Sequence, residues 1–107
     1  MTSSPTLVTG ATGLVGNNVV RQLLGRGRGV RVLARDGADP RPLAGLDVEI
    51  FRGDILRPET LSPACSGAGA VIHAAGYVHL GRTGLDLQRA INVEGTRNVA
   101  RTARQAG

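Results

Sequence analysis

The sequence contains no lysine: all thirteen basic residues are arginine, and against eight acidic residues they leave a formal charge of +5. A single cysteine, Cys65, excludes an internal disulfide and a cysteine-based zinc cluster. It fits a reducing, cytoplasmic setting. Tryptophan is absent, and Phe51 and Tyr77 are the only aromatics. Nucleic-acid binders gather their cations on one stripe, often with stacking aromatics. Here the arginines are scattered from Arg21 to Arg104, so no nucleic-acid partner is expected. No apolar run approaches the roughly 20 residues of a membrane span, and "MTSSPT" lacks the basic start and apolar middle of a secretory signal. No membrane partner is expected either. His73 and His79 have no acidic partners at ligand spacing, which argues against a metal site.

What the chain has is glycine, sixteen in 107 residues, and a regular alternation of short apolar runs with helical patterns. "TLVTG" at 6–10 reads as a buried strand. From Leu14 to Leu24, the residues Val15, Val19, Val20, Leu23 and Leu24 recur at helical spacing, and "GRGRG" at 25–29 ends that helix with a glycine cap. "VRVLAR" at 30–35 is a second strand, stopped by "DGADP". A short helix near 40–45 precedes a third strand at 47–52, and "RPETLSPAC" at 57–65 is a short helical turn. "GAVIHAA" at 69–75 is a fourth strand, small or apolar throughout, as a strand covered on both faces should be. A long helix then runs over 85–106, with Leu87, Ile91, Gly95, Val99 and Ala103 four apart on one face. This order predicts right-handed crossovers and a Rossmann-type, doubly wound parallel α/β sheet. It is incomplete, with about four strands in the order 3-2-1-4. The fourth strand then lies at an edge, where its apolar run invites pairing or association.

Gly10, Gly13 and Gly16 stand three apart between the first strand and the first helix. Glycine there permits a tight turn, close approach of a ligand to the backbone, and close packing of helix on sheet. The N–H groups and partial positive charge of the helix N-terminus then face an anion such as a pyrophosphate. The alternative is a plain strand-to-helix turn.

"TGATGLVG", "GDI", "VIHAAG" and "NVEGTRNV" occur in the order and at the distances of one family. On these motifs the chain resembles the extended short-chain dehydrogenases/reductases, which include nucleotide-sugar epimerases and dehydratases, dihydroflavonol reductases and hydroxysteroid dehydrogenase/isomerases. The resemblance runs from Leu7 to Gly107. It implies that Gly10, Ala11, Thr12, Gly13, Leu14, Val15 and Gly16 cradle the pyrophosphate of a dinucleotide cofactor. Asp54 would accept from the exocyclic amine of the adenine and Ile55 would pack on the ring. Ala74, Ala75 and Gly76 would line the cofactor, and Asn92 matches a supporting position. Asp54 also reads as a turn residue, and Asn92 as a helix polar group bonded to a neighbouring loop.

The end of the second strand separates NAD from NADP: an acidic residue binds a ribose 2′-hydroxyl, an arginine a 2′-phosphate. Arg35 reads as the strand-terminal residue and Asp36 as the opening of the turn, so NADP is favoured over NAD. His73 reads as a satisfied core histidine, His79 as a loop residue within reach of substrate, and Cys65 as packing. The family's chemistry rests on a Ser/Thr with Tyr-x-x-x-Lys, the lysine lowering the tyrosine pKa and holding the ribose. Tyr77 is followed four places on by Gly81, and without lysine no such pair can form from these residues. No catalytic residue is therefore assigned. The chain reads as the N-terminal part, residues 1–107, of an NAD(P)-binding domain, with the catalytic and small-molecule substrate parts elsewhere in a longer reductase or epimerase. "VRVLAR" and "NVEGTRNV" lean towards NADPH-dependent carbonyl reduction of the dihydroflavonol-reductase kind. The alternatives are a non-catalytic, redox-sensing dinucleotide module or an inactive truncated product. The sequence leaves the oligomeric state open.

Overall fold

Alternation of apolar side chains along short β-branched runs puts successive residues on opposite faces of a sheet. The computed structural model, which describes residues 4–75 and 89–107, shows this. Four strands, β1 (Thr6–Thr9), β2 (Val30–Ala34), β3 (Glu49–Arg52) and β4 (Ala70–His73), form one sheet in the order β3-β2-β1-β4. Every pairing is parallel, with Thr6 opposite both Val30 and Ala70, and Val32 opposite Ile50. Fold class and strand order are those anticipated.

Helices cover both faces. On one, Val8, Val30 and Val32 meet Val20 of α1 (Leu14–Gly25), together with Ala11 and Leu43. On the other, Leu7 and Leu33 meet Ala64 and Cys65 of α2 (Ser62–Cys65), Val99 of α3 (Thr96–Ala106), Ile55 and Leu61. Arg31 fastens α2 to the sheet edge. Its guanidinium donates to the carbonyls of Ala64, at 3.1 Å, and Ser66, pairs with Glu49 at 3.1 Å, and lies 5.1 Å over the Phe51 ring.

Several boundaries depart from the sequence reading. The segment near 40–45 is a single 3-10 turn, Arg41–Leu43, and β3 begins at Glu49. β4 ends at His73, and its residues are exposed to half-buried rather than covered on both faces, because β1 is its sole strand neighbour among the described residues. β2 ends at Ala34, and the Arg35 carbonyl accepts from the Ala38 N–H at 3.1 Å. Arg35, not Asp36, therefore opens the turn. The long helix is not uniform: a widened π-helical turn, Ala90–Gly95, precedes α3. Gly95 and Val99 of its anticipated inner face are buried and Ile91 and Ala103 are half-buried, whereas Leu87 lies outside the described residues. α1 closes as expected, with the Gly27 and Arg28 N–H groups returning to Leu24 and Leu23 and Gly27 at φ 73°.

Candidate functional site

In a parallel sheet whose strands extend from β1 on both sides, with the helix after β1 on one face and α3 on the other, a crevice opens at the strands' C-terminal ends. A cleft of about 500 Å³ lies there, within the range of small-molecule sites. Its walls come from the ends of all four strands: Thr9 and Gly10, Ala34 and Arg35, Gly53 and Asp54, Ala74 and Ala75.

The glycine loop forms one wall. Gly10 takes φ 71°, where a side chain is strained, and a Cβ on it would lie 2.5 Å from the Ala75 nitrogen. A Cβ on Gly16 would lie 2.0 Å from the Gly10 carbonyl oxygen, so the first turn of α1 rests directly on the loop backbone. Gly13 differs, for a Cβ there would meet only the Gly10 oxygen at 3.4 Å. Its surface faces the cleft. Gly13 caps α1 with no side-chain hydrogen bond and no acidic residue in the first turn. Among the described residues the opening N–H groups of the helix therefore have no side-chain acceptor, as an anion site at a helix N-terminus requires. The chain's own residues fit a pyrophosphate.

Of the other residues singled out in the loop, Thr12 lines the cleft, Ala11 is buried beneath it, and Leu14 and Val15 are 83% and 66% exposed. Val15 thus leaves the apolar stripe expected of α1: in the first turn Gly16, not an apolar side chain, faces the protein. Asn17, which sequence reasoning passed over, holds the loop. Its amide donates to the Ala11 carbonyl at 3.1 Å and the Pro42 carbonyl at 2.8 Å.

Asp54 and Ile55 form the opposite wall. One Asp54 carboxylate oxygen accepts from the Leu56 N–H at 2.9 Å, the side-chain turn its position suggested. The other has no hydrogen-bond partner among the described residues. The Ile55 side chain is 7% exposed and packs beneath Gly95, where a Cβ would come within 2.5 Å of its Cδ1. The Asn98 amide donates to the Ile55 carbonyl at 2.9 Å. This is a second contact that no local pattern announced, since the two residues are 43 positions apart.

Arg35 stands at the mouth of the cleft, exposed, with no side-chain hydrogen bond or ion pair among the described residues. Arg41 is engaged differently, paired bidentately with Asp39, which holds the Asp39 carboxyl below the usual carboxylate range. Ala74 and Ala75 line the cleft at the end of β4. Asn92 is half-buried in the widened turn and does not line it, whereas Ile91 does. Gly76, Tyr77 and His79 lie outside the described residues. His73 has both ring nitrogens partnered, and burial pushes its pKa down. Burial pushes the Cys65 thiol up, with Arg31 opposing, which suits a packing role. Among the described residues no group of His, Cys, Asp and Glu could hold a metal, and no helix is long and apolar enough to cross a membrane.

The sequence profile of the NAD dependent epimerase/dehydratase family matches residues 6–107. Sterol demethylase protein B of Methylococcus capsulatus is 43% identical over 104 residues, covering 95% of this chain and 31% of that protein. The crystal structure of gox2253 superposes with a TM-score of 0.90 at 41% identity, over 98% of this chain and 32% of the other. A short-chain dehydrogenase/reductase superfamily protein from Agrobacterium tumefaciens, solved with bound NAD, gives 0.78 at 37% identity, over 95% and 29%. The chain therefore spans about a third of the length of the relatives it matches. With the profile match, the strand order and the glycine loop in agreement, the chain belongs to the NAD dependent epimerase/dehydratase family.

Proposed function

We propose that these residues form the dinucleotide-binding part of an oxidoreductase or nucleotide-sugar epimerase/dehydratase, and that the dinucleotide is NADP rather than NAD. Bound there, the cofactor would supply hydride transfer. The residues of this chain bind and orient it. Gly10, Thr12 and Gly13, with the opening turn of α1, receive the pyrophosphate. The unpartnered oxygen of Asp54 receives the adenine amine, and Ala74 and Ala75 leave room along the strand end. Ile55 supports the adenine wall from beneath, its side chain already held by Gly95. The cofactor's electron-transfer chemistry needs a proton donor, and with no lysine in the sequence the Tyr-x-x-x-Lys pair comes from residues other than these. Carbonyl reduction of a small molecule in a cytoplasmic setting is the reaction this reading favours, with neither nucleic acid nor membrane as partner.

The observation that carries NADP is Arg35, the first residue past β2, exposed at the cleft mouth with its guanidinium unengaged. A guanidinium matches a phosphate with paired donors. Calorimetric titration with NADP and NAD tests it. The chain should bind NADP more tightly, and Arg35→Ala should lose roughly 10- to 100-fold in NADP affinity, the scale of a charged hydrogen bond, while NAD affinity stays put. Tighter binding of NAD by the wild-type chain would defeat the NADP assignment. Absence of binding by either would defeat the site.

A non-catalytic dinucleotide module is the second reading, supported by the same absence of lysine. A parent polypeptide that carries Tyr-x-x-x-Lys and reduces a carbonyl substrate would remove it, and one that binds the dinucleotide without that pair would favour it.

A further inference from the structure

His73 closes β4, and its ring lies between the glycine-loop strand and the widened turn. Thr9 Oγ1 sits 2.6 Å from His73 Nδ1 and accepts from the Ala75 N–H at 3.2 Å. On the other side His73 Nε2 is 3.0 Å from Thr96 Oγ1, which donates to the Asn92 carbonyl at 2.8 Å. These contacts have one consistent direction. Each threonine has a single proton to donate. Thr96 gives its proton to Asn92, so Nε2 must be the donor towards Thr96. Nδ1 then carries no proton and accepts from Thr9. The opposite sense would leave the hydroxyl proton of Thr9, a residue 1% exposed, without an acceptor. The neutral Nε2–H tautomer follows, with every group satisfied.

The two ends of this chain of bonds are places of interest. Ala75 lines the cleft and its nitrogen lies where a Cβ on Gly10 would collide. Asn92 belongs to the π-helical turn, a rare geometry that is frequent at functional sites. Back-bonding of a threonine to the carbonyl four residues earlier is a local habit; its link to a strand 23 residues away through His73 is not.

We propose that Thr9, His73 and Thr96 are positioning residues, a directed hydrogen-bond relay that couples occupancy of the cleft at Ala74–Ala75 to the conformation of the turn Ala90–Gly95. The proposal rests on the dinucleotide reading of the cleft. The relay fixes the strand end that lines the cleft and, through Thr96, ties the helix carrying Asn92 to it.

Nitrogen-15 NMR of the chain, with NADP titrated in, tests this. The ligand-free wild type should show a His73 ring protonated on Nε2 alone. Saturation with NADP should shift that ring and the amides of residues 92–96. Thr9→Val replaces the hydroxyl with a methyl, taking the partner from both His73 and the Ala75 N–H, and should weaken NADP binding by about tenfold and abolish the response at 92–96. Thr9→Ser should restore both. Thr96→Val, at an exposed position that leaves the core untouched, should keep the ring response and lose that of the turn. A proton on Nδ1, wild-type affinity in Thr9→Val, or a turn response that survives Thr96→Val would each overturn the relay. A wild-type chain that binds no dinucleotide would sink the site assignment and the relay together. Binding by the wild type with silent variants would sink the relay alone.

Discussion

Two walls of the same cleft are built in opposite ways. The glycine loop is shaped by missing side chains: Gly10 and Gly16 stand where a Cβ would strike backbone at 2.5 Å and 2.0 Å, and backbone hydrogen bonds such as Gly13 N–H to the Gly10 carbonyl, 3.0 Å, close the turn. The end of β4 is shaped by side chains that are present, Thr9, His73 and Thr96, bonded in series across three elements. A wall made by omission tolerates no addition, because its neighbours are backbone and cannot rotate away. A wall made by side-chain bonds fails by subtraction. It depends on each polar group keeping its partner.

The largest effect should come from adding one carbon to the first wall. Gly16→Ala places a methyl 2.0 Å from the Gly10 oxygen and 2.5 Å from its carbonyl carbon. We expect a loss of about 1–3 kcal/mol from overpacking, with dinucleotide binding abolished as the loop is displaced. The contrast lies at the other end of the same helix. Gly25→Ala meets nothing within 4 Å among the described residues and should stabilise the fold by about 0.5 kcal/mol through backbone entropy. Thermal unfolding of the two variants, measured side by side, should give melting shifts of opposite sign. Equal shifts would show that helix propensity, not the contact with Gly10, decides.

A smaller effect blurs the division in an informative way. The loop is also held by one side chain, Asn17, whose amide serves the carbonyls of Ala11 and Pro42. Asn17→Ala should cost about 1 kcal/mol, three lost hydrogen bonds, one of them the exposed bond from Arg21, set against better helix propensity. Its dinucleotide affinity should fall far less than that of Gly16→Ala. Denaturant midpoints and titration on the same samples separate the two. An Asn17→Ala chain with affinity as poor as Gly16→Ala would mean that the loop is maintained by its tether rather than by its glycines.

The contrast also explains how much the sequence could reveal. Glycine spacing is local, so the loop and its placement between strand and helix were legible, and the order β3-β2-β1-β4 followed from the handedness of the crossovers. Side-chain bonds across the fold are not local. Thr9 and His73 are 64 residues apart, and nothing near either announces the other. Asn98 on the Ile55 carbonyl is the same kind of contact. Gly95 occupied a helical apolar stripe in sequence, but its reason is the Ile55 side chain beneath it. Boundaries failed where one hydrogen bond decides. The Ala38 N–H to the Arg35 carbonyl moved the turn by one residue and left Arg35 facing the cleft mouth. Val15 failed because the first turn of α1 rests on the loop backbone through Gly16, which leaves the neighbouring Val15 exposed.

The smallest predicted effect concerns the proton count on the second wall. Burial holds the folded-state pKa of His73 below its ordinary value of 6.5. Above that value both folded and unfolded chains carry a neutral ring, and the relay's stabilisation is intact. As pH falls through it, the unfolded chain binds the proton first, so stability declines until the folded-state pKa is passed, and then levels. Protonation puts a second hydrogen between Nδ1 and Thr9 Oγ1, whose own proton then has no acceptor. Urea midpoints measured from about pH 7.5 to about pH 5 should therefore fall for the wild type. They should fall less for His73→Asn, which keeps polar groups in place but does not titrate. The remaining histidine, His79, is common to both chains and cancels in the difference. Parallel midpoint curves would place the pH sensitivity elsewhere and leave His73 as a packing group, held by the second wall rather than holding it.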